Sequence, residues 1–305
     1  MSLQPLKLFH LPTLVLRNVL QLLNPIELFE LSQCSRRALS IIPLSGSRNF
    51  ELQIDQFSSS IHVNGHIFRI YSTRAQSIYI PHGTRTFMES TLVGLRTVFF
   101  HVSKVFNCPT ECARFFYAIP AVIYMSFIDF ISSRQSEIKE LTIWGDGLTD
   151  KHVTEIFDKL RVTDHLEMSH RFSRAPSIPL NLESIIIWNS AWITIQHLNS
   201  MNNCRVIHLD QSTLTDSDMT LFLNDWKSGK FPNLQYLSID SDFLSERFTA
   251  FGLPALRDTV NPQMYERTIL GYSRFIYGGV DVQRDDGVAA KVYYDNNGEL
   301  KILLL

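Results

Sequence analysis

His101, Cys108 and Cys112 are the residues whose types could hold a metal ion. Structural zinc takes four ligands in two close pairs. No fourth ligand is evident, and the three-residue interval between the cysteines suits one helix face instead. Gly145-Asp146-Gly147 is glycine-rich but lacks the Lys and Ser/Thr that complete a phosphate-binding loop. No Gly-x-Ser-x-Gly turn presents a nucleophile. His152, His165 and His170 read as loop or helix-surface residues. Asp285-Asp286 reads as a solvated hairpin tip rather than a carboxylate pair for acid–base work. The expectation is therefore no catalytic constellation, no metal and no cofactor.

The chain of 305 residues is long enough for one large domain plus a small one, or for two of medium size. With 45% hydrophobic and 19% charged residues it has the composition of a folded protein. Net charge is -2 and the basic residues are scattered. A nucleic-acid partner would need a basic stripe to displace counterions from phosphates, so none is expected. The four cysteines, Cys34, Cys108, Cys112 and Cys204, make no disulfide framework for this length. Lys7, His10, Pro12 and Arg17 interrupt the first apolar stretch, which makes a poor signal peptide. The apolar run from Ala118 to Ile131 is too short to span a bilayer and contains Pro120 and Asp129. A cytoplasmic or nuclear location, with no membrane partner, is the expectation.

The elements begin with three short helices. After Leu11-Pro12, one helical face carries Val15, Val19 and Leu22, and an adjacent face carries Leu16, Leu20 and Leu23. A helix apolar over that much of its circumference packs on more than one side. Asn24-Pro25-Ile26-Glu27 is a helix start: Asn24 caps, Pro25 suits the first turn and Glu27 sits where a capping box wants it. Ile26, Leu28, Phe29 and Leu31 follow as core. A third helix, about Ser35 to Ile42, ends at Pro43. So small a unit has more apolar surface than it can bury in itself. The excess packs on the rest of the chain, as an ordinary helical lid, or on a partner.

Leu11-Pro12, the pairs Leu14-Val15 and Val19-Leu20, Asn24-Pro25, Leu28, Leu31 and Ser32-Gln33-Cys34-Ser35 resemble an F-box. The resemblance implies insertion into the Skp adaptor of a cullin–RING ubiquitin ligase. It marks Leu11, Pro12, Leu14, Val15, Val19, Leu20, Leu23, Leu28 and Leu31 as adaptor-binding residues.

Further along, four segments share one spacing: Ile138-x-x-Leu141-x-Ile143-x-x-Asp146-x-Leu148, Leu182-x-x-Ile185-x-Ile187-x-x-Ser190-x-Trp192, Cys204-x-x-Ile207-x-Leu209-x-x-Ser212-x-Leu214 and Leu234-x-x-Leu237-x-Ile239-x-x-Asp242-x-Leu244. This is the leucine-rich repeat pattern. Alternating apolar residues turn one face of a short strand inward, and the polar residue at the ninth position bonds backbone where the chain leaves the strand. Leu95-x-x-Val98-x-Phe100-x-x-Ser103-x-Val105 is a weaker copy, and Leu166-x-Met168 fits only the strand core. The central positions 141, 166, 185, 207 and 237 are separated by 25, 19, 22 and 30 residues, so an even horseshoe is not promised.

Helices return the chain between strands. Val153, Ile156, Phe157 and Leu160 mark one over Lys151 to Leu160. Met219, Phe222, Leu223 and Trp226 mark another over Thr215 to Trp226, with Thr215 as cap and Asp216 and Asp218 in its first turn. Leu214-Thr215, Asp218, Phe222-Leu223, Trp226, Gly229, Asn233-Leu234 and Leu237 resemble the type 2 F-box-associated region of nematode F-box proteins. Thr220 departs from that pattern, which commonly has Asn there. Asp281-Val282-x-Arg284-x-Asp286-Gly287-x-x-Ala290-x-Val292 resembles the closing hairpin of the same family. The two resemblances together imply a receptor that transfers nothing itself and holds a target protein near a ubiquitin-loaded enzyme.

Around Ile61-His62-Val63-Asn64-Gly65-His66-Ile67 the alternation predicts a hairpin with an Asn-Gly turn. Residues 278 to 305 read as strand, Asp286-Gly287 turn, strand, Asn297-Gly298 turn and a last capping strand from Lys301 to Leu305. The fold class is thus α/β. Three helices occupy residues 1–45. An associated module, 46–305, comprises a mixed part (50–135), an irregular leucine-rich-repeat-like part (138–250) and C-terminal β strands (275–305).

Side-chain alternation turns Glu140, Thr142 and Trp144 outward, with Ser184, Ile186 and Trp188, then Val206, His208 and Asp210, then Tyr236, Ser238 and Asp240. Trp144 and Trp188 fall in one row, followed by Asp210 and Asp240. Trp144, Trp188, His208, Asp210, Tyr236 and Asp240 are the candidate target-binding residues, unless inserted loops or the C-terminal hairpin cover them as a second core. Three functions follow: a ligase substrate receptor, a leucine-rich interaction scaffold with no link to ubiquitination whose first helices are only a cap, or an unrecognised enzyme with a cleft of perturbed titratable groups.

Overall fold

The computed structural model describes residues 8–46, 50–72, 84–88, 90–116, 119–145, 147–245, 248, 249, 251, 263–294 and 299–305. Asp146 and the Asn297-Gly298 turn lie outside the described residues. The chain forms two compact units, Met1–Ile138 and Lys139–Leu305.

The first unit opens with a 3-10 turn, Leu8–His10, and three helices, α1 (Thr13–Leu22), α2 (Pro25–Cys34) and α3 (Arg36–Ile41). The capping box forms as its residues dictate. The backbone N–H groups of Ile26 and Glu27 donate to Asn24 Oδ1 at 2.9 and 3.0 Å, and Asn24 N–H donates to Glu27 Oε2 at 2.8 Å. Ser35 Oγ accepts from Ala38 N–H at 3.0 Å and starts α3. Then come β1 (Leu52–Asp55), β2 (Ser60–Val63), β3 (His66–Ser72), β4 (Thr84–Met88), α4 (Thr91–Phe106), β5 (Thr110–Phe115) and α5 (Ala121–Ser132). The strand order is β5-β1-β2-β3-β4, with the β1–β5 and β3–β4 pairs parallel. The β2–β3 hairpin closes through Asn64 and Gly65, both at positive φ, the two-residue turn that matches strand twist.

Two expectations fail in this unit. The stretch Leu95 to Val105 is not a strand copy but lies inside α4. Leu95, Val98, Val102 and Val105 recur at three and four residues, and all four are buried on one helical face. The repeat template and the helix share the 95/98/105 positions, so the template alone could not separate them. Nor do Cys108 and Cys112 share a helix face: Cys112 lies in β5 and Cys108 just before it.

The second unit contains β6 (Glu137–Ile143), which begins at the boundary, then α6 (Asp150–Lys159), β7 (Arg161–Met168), β8 (Ser184–Ile187), α7 (Ile195–Ser200), β9 (Val206–Ser212), α8 (Asp216–Lys227) and β10 (Tyr236–Ser241). The pairs β7–β8, β8–β9 and β9–β10 are parallel. Leu166, Ile185, Ile207 and Leu237 align in register on one face, fully buried with Val153 and Ile156 of α6, Leu198 of α7 and Met219, Phe222 and Trp226 of α8. Beyond β10 the chain turns antiparallel. A hairpin of β11 (Met264–Ile269) and β12 (Tyr272–Tyr277) stands apart as its own two-stranded sheet. Then β13 (Val280–Gln283), β14 (Ala289–Tyr294) and β15 (Glu299–Leu304) extend the parallel set in the order β10-β15-β14-β13. The last strand therefore sits inside the sheet beside β10, and β13 takes the edge assigned to it. The reason is burial: Leu300, Ile302 and Leu303 are nearly inaccessible, whereas β13 buries Val282 alone.

Polar residues hold the turns between parallel strands. Ser190 Oγ and N–H both donate to Asp210 O, at 2.8 and 2.9 Å. Ser241 Oγ donates to Leu214 O at 2.8 Å. In the fourth segment this role falls on Ser241 rather than on Asp242. Strand β9 carries one extra residue, with Gln211 at φ 51°, so that Ser241 pairs Ser212 and the count shifts by one.

Each helix of this unit starts alike. Thr149 and His152, Thr194 and His197, and Thr215 and Asp218 form capping boxes; the Thr149, Thr194 and Thr215 N–H groups donate to the third residue at 3.2, 3.1 and 2.9 Å. His152 is thus a capping residue, not a loose surface side chain. His170, expected at the surface, is buried and its Nε2 lies 2.8 Å from Asp150 Oδ1. His165 lies half-buried on β7.

Candidate functional site

The two outlooks of α1 separate cleanly. Leu16 and Leu20 point into the unit and are buried, while Leu14 (69% exposed), Val15 (44%) and Leu22 (85%) stand in solvent. Pro12 is exposed, and Leu11, Val19, Leu23 and Leu31 are half-buried. Among the candidate adaptor residues, Leu20 and Leu28 are corrected: each is wholly inaccessible and holds the helices together, so neither can touch a partner. Leu22 takes their place on the open face. The four-then-three spacing of Val15, Val19 and Leu22 already carried that signal, but the family motif did not include it.

Behind this face α2 packs on α4 and β3. Phe29 meets the Phe68 ring at 5.0 Å and the His101 ring at 5.5 Å, and His101 Nε2 lies 2.9 Å from Ser32 Oγ. Burial lowers the His101 pKa, with help from Lys104, which favours the neutral ring seen between Phe29 and Ser32. His101 is thus a packing residue. Arg37 reaches back to Phe9, donating to its carbonyl at 2.9 Å and stacking over its ring, which fixes the first turn against α3.

In the second unit, the outward rows run in register. Ser184, Val206, Tyr236 and Leu303 form one; Glu167, Ile186, His208, Ser238 and Lys301 form the next; Asp240 and Glu299 pair in the one beyond. The β11–β12 hairpin closes the first row: Ile269 and Ile276 pack on Val206, Tyr236 and Leu303 as a second core. Leu270 and Gly271, both at positive φ, make its turn. Tyr236 is corrected for this reason. It is buried, with the Arg274 guanidinium 5.2 Å above its ring, and is not available to a target. Beside the hairpin's turn a cleft of about 180 Å³ lies between Leu270, Tyr272 and Arg274 on one side and Glu140, His165 and Ser184 on the other.

The rest of the face stays partly open. Trp144, Trp188, His208, Asp210 and Asp240 are half-buried. The Trp144 and Trp188 rings meet edge-on at 5.3 Å, and Trp188 meets His208 at 5.0 Å. Trp188 Nε1 donates to Glu167 Oε1 at 3.0 Å, which fixes the indole plane. Asp210 and Asp240 lie on the neighbouring strands β9 and β10. Burial first, then the Asp240 carboxylate, push the Asp210 pKa up to about 6. Burial lowers the His208 pKa more than Glu299 and Asp240 raise it, so that ring stays neutral.

The titratable groups of this unit are engaged in structural contacts where the structure describes them. Ser173 Oγ and His170 both bond to Asp150, whose pKa these contacts hold down at about 2, rather than to each other, so neither activates the other as a nucleophile–base pair would. Burial raises the Cys108 thiol to about 11 and the Cys204 thiol to about 12, which keeps both protonated. Among the described residues no group of three or more His, Cys, Asp or Glu side chains could hold a metal ion, and no helix is long and apolar enough to cross a membrane. Asp286 is not merely a solvated tip: it pairs with the buried Arg284, which lowers its pKa and donates to Phe231 O at 3.0 Å.

Residues 8–47, the three helices and their exposed face, match the F-box domain family, and residues 176–239, from the approach to β8 into β10, match the F-box associated family. The chain thus carries an F-box and, further along, an F-box-associated region. The Skn-1 dependent zygotic transcript 15 protein of Caenorhabditis elegans is 23% identical over 181 residues, covering 55% of this chain. The chain spans about half the length of that relative, 50%. No solved structure matches the chain. The F-box match ends just past the second 3-10 turn, Ile42–Ser45, while the compact unit that holds the F-box runs on to Ile138. The F-box-associated match takes in Trp188, His208 and Asp210 and stops one residue before Asp240.

Proposed function

We propose that this F-box protein is the substrate-recognition subunit of an SCF-type cullin–RING ubiquitin ligase. Its F-box docks on a Skp adaptor, and the second unit holds a target protein. The protein performs no bond chemistry; it raises the target's effective concentration at the ubiquitin-loaded enzyme and orients it. Residues 1–45 serve the adaptor and residues 46–305 serve the target, in the cytoplasm or nucleus. The strand–helix units of the second unit are read as leucine-rich-like repeats, each burying its Leu or Ile pair and offering the alternate side chains outward.

The observation that carries this reading is the open face of α1. Leu14, Val15 and Leu22 are large apolar side chains in solvent on a helix whose other face is fully packed. Large apolar side chains left in solvent on one helical face mark a protein contact. Leu11, Pro12, Val19, Leu23 and Leu31 border it and complete the proposed adaptor surface.

The test is co-purification of the full chain with a Skp adaptor. Changing Leu11, Pro12 and Val15 to polar residues abolishes it on this reading, and unchanged recovery contradicts it. Point substitutions are preferable to removing residues 1–45. That deletion also strips Phe29 and Ser32 from Phe68 and His101, and so confounds lost binding with lost folding.

A further inference from the structure

In the first unit, the turn that joins β1 to β2 carries a chain of hydroxyls that ends on an imidazole. Ser58 Oγ lies 2.6 Å from Ser60 Oγ, and Ser60 Oγ lies 2.8 Å from His62 Nε2. Ser60 and His62 alternate along β2 with Ile61 and Val63, which are buried on the other side. Ser58 is exposed, Ser60 is buried and His62 is half-buried, so the chain runs from solvent into the sheet. The backbone of the turn is pinned. Gln56 N–H donates to Arg114 O at 2.9 Å, Ser59 N–H to Gln56 O at 3.1 Å and Ile70 N–H to Ser59 O at 3.0 Å. Ser58 N–H donates to Asp55 Oδ1 at 3.1 Å. Around His62 stand Asp55 of β1, Arg114 of β5 and Arg69 of β3. Burial, opposed by Asp55 and aided by Arg114 and Arg69, holds its pKa below 6.5. The ring is therefore neutral near pH 7 and keeps one nitrogen as an acceptor.

A neutral imidazole at the inner end draws protons inward, and each donated bond makes the donating oxygen a better acceptor for the next. We propose that Ser58 is a site of O-acylation: Ser60 donates to His62, Ser58 donates to Ser60, and the Ser58 oxygen is thereby a nucleophile toward activated acyl donors. The bond from Ser58 Oγ to the acyl carbon forms, and the bond from that carbon to the leaving oxygen or sulfur breaks. The Ser58 proton passes to Ser60, the Ser60 proton passes to His62, and the imidazolium returns one proton to the leaving group or to water. An acyl group suits the site better than a phosphoryl group. The Asp55 carboxylate held against the Ser58 N–H repels a phosphate and leaves a neutral carbonyl undisturbed. Phe57, 74% exposed beside the hydroxyl, offers an apolar surface to the acyl chain. The reaction alters the chain itself, once per molecule, and is separate from the target-holding role.

The test incubates the full chain with p-nitrophenyl acetate near neutral pH, follows p-nitrophenolate release and locates the acetyl group by peptide mass spectrometry. Ser58 is acetylated at least about tenfold faster than any other hydroxyl of the chain. Ser58→Ala, at an exposed position, removes that release. His62→Gln keeps a side chain that hydrogen-bonds but takes no proton, and it slows Ser58 acetylation by at least about tenfold with thermal melting kept. The pH profile, measured on the parent chain, reads the base without any substitution. The Ser58 rate is level above about pH 7 and falls on acidification as His62 takes up its proton, whereas a lysine rate climbs steadily through alkaline pH. Acetylation elsewhere with Ser58 left bare, the parent rate in a folded His62→Gln variant, or a Ser58 rate without the acid limb overturns the proposal.

Discussion

The helical face of α1 and the outward face of the second unit's sheet are both surfaces that an isolated chain leaves partly uncovered, but they differ in kind. On α1 the exposed side chains are Leu14, Val15 and Leu22, with no acidic residue in the helix. On the sheet the chain covers its own apolar row, Val206, Tyr236 and Leu303, with the β11–β12 hairpin, and leaves open the row that mixes aromatics with carboxylates. Apolar surface that the chain could have buried, as it did on the sheet, stays exposed on α1. The first face suits a partner bound by the hydrophobic effect; the second suits a partner selected by charge and geometry.

The comparison breaks most visibly inside each packed side. Phe29→Ala removes the ring that joins α2 to Phe68 and His101 and costs about 3–5 kcal/mol in denaturant unfolding. A loss below 1 kcal/mol would mean that the F-box helices are not anchored on the rest of their unit. Ile276→Ala undermines the hairpin and costs roughly 2–4 kcal/mol, with Tyr236 becoming reactive to iodination in the folded protein. If Tyr236 stays protected, something other than the hairpin covers that row.

A smaller effect sharpens the open side. The Asp210 pKa is raised in the folded protein, so its contribution to stability is complete below the ordinary carboxylate range near pH 4 and is lost as pH rises through about 6. Melting temperature of the parent chain therefore declines between about pH 4 and 6 by an increment that Asp210→Asn lacks. Parallel pH profiles for the two proteins would show that the carboxylates do not repel.

Much of this was legible in residue spacing. The Asn24–Glu27 capping box, the Asn64-Gly65 hairpin, α6, α8 and the parallel strands follow from local patterns whose physics is complete within ten residues. The misses were non-local. Leu20 and Leu28 fit the adaptor motif as well as Leu14 does, and only the packing of α1 and α2 within their unit decides which of them face solvent. Leu95 to Val105 satisfied a strand template because periods of three and four overlap it. The β11–β12 hairpin went unread although Leu270-Gly271 offered a turn, and with it went the fate of Tyr236. The His152 and His197 caps went unread because histidine is an uncommon third residue of a capping box. Alternation along parallel strands turned Trp188, Asp210 and Asp240 outward, and all three are half-buried in the structure. The bulge at Gln211, which moved the serine ladder by one, was not, because its αL residue is not a glycine.

The central claim is that the uncovered face of α1 belongs to an adaptor, and calorimetric titration of a purified Skp adaptor into the full chain tests it most directly. The triple substitution Leu14→Asp, Val15→Asp, Leu22→Asp alters exposed positions, where each change is worth within about 0.5 kcal/mol of stability, so the variant stays folded. The account predicts binding by the parent chain and a loss of at least about 100-fold, ~2.7 kcal/mol, in the variant. Equal affinity of the two proteins for the adaptor, with both folded, would contradict it.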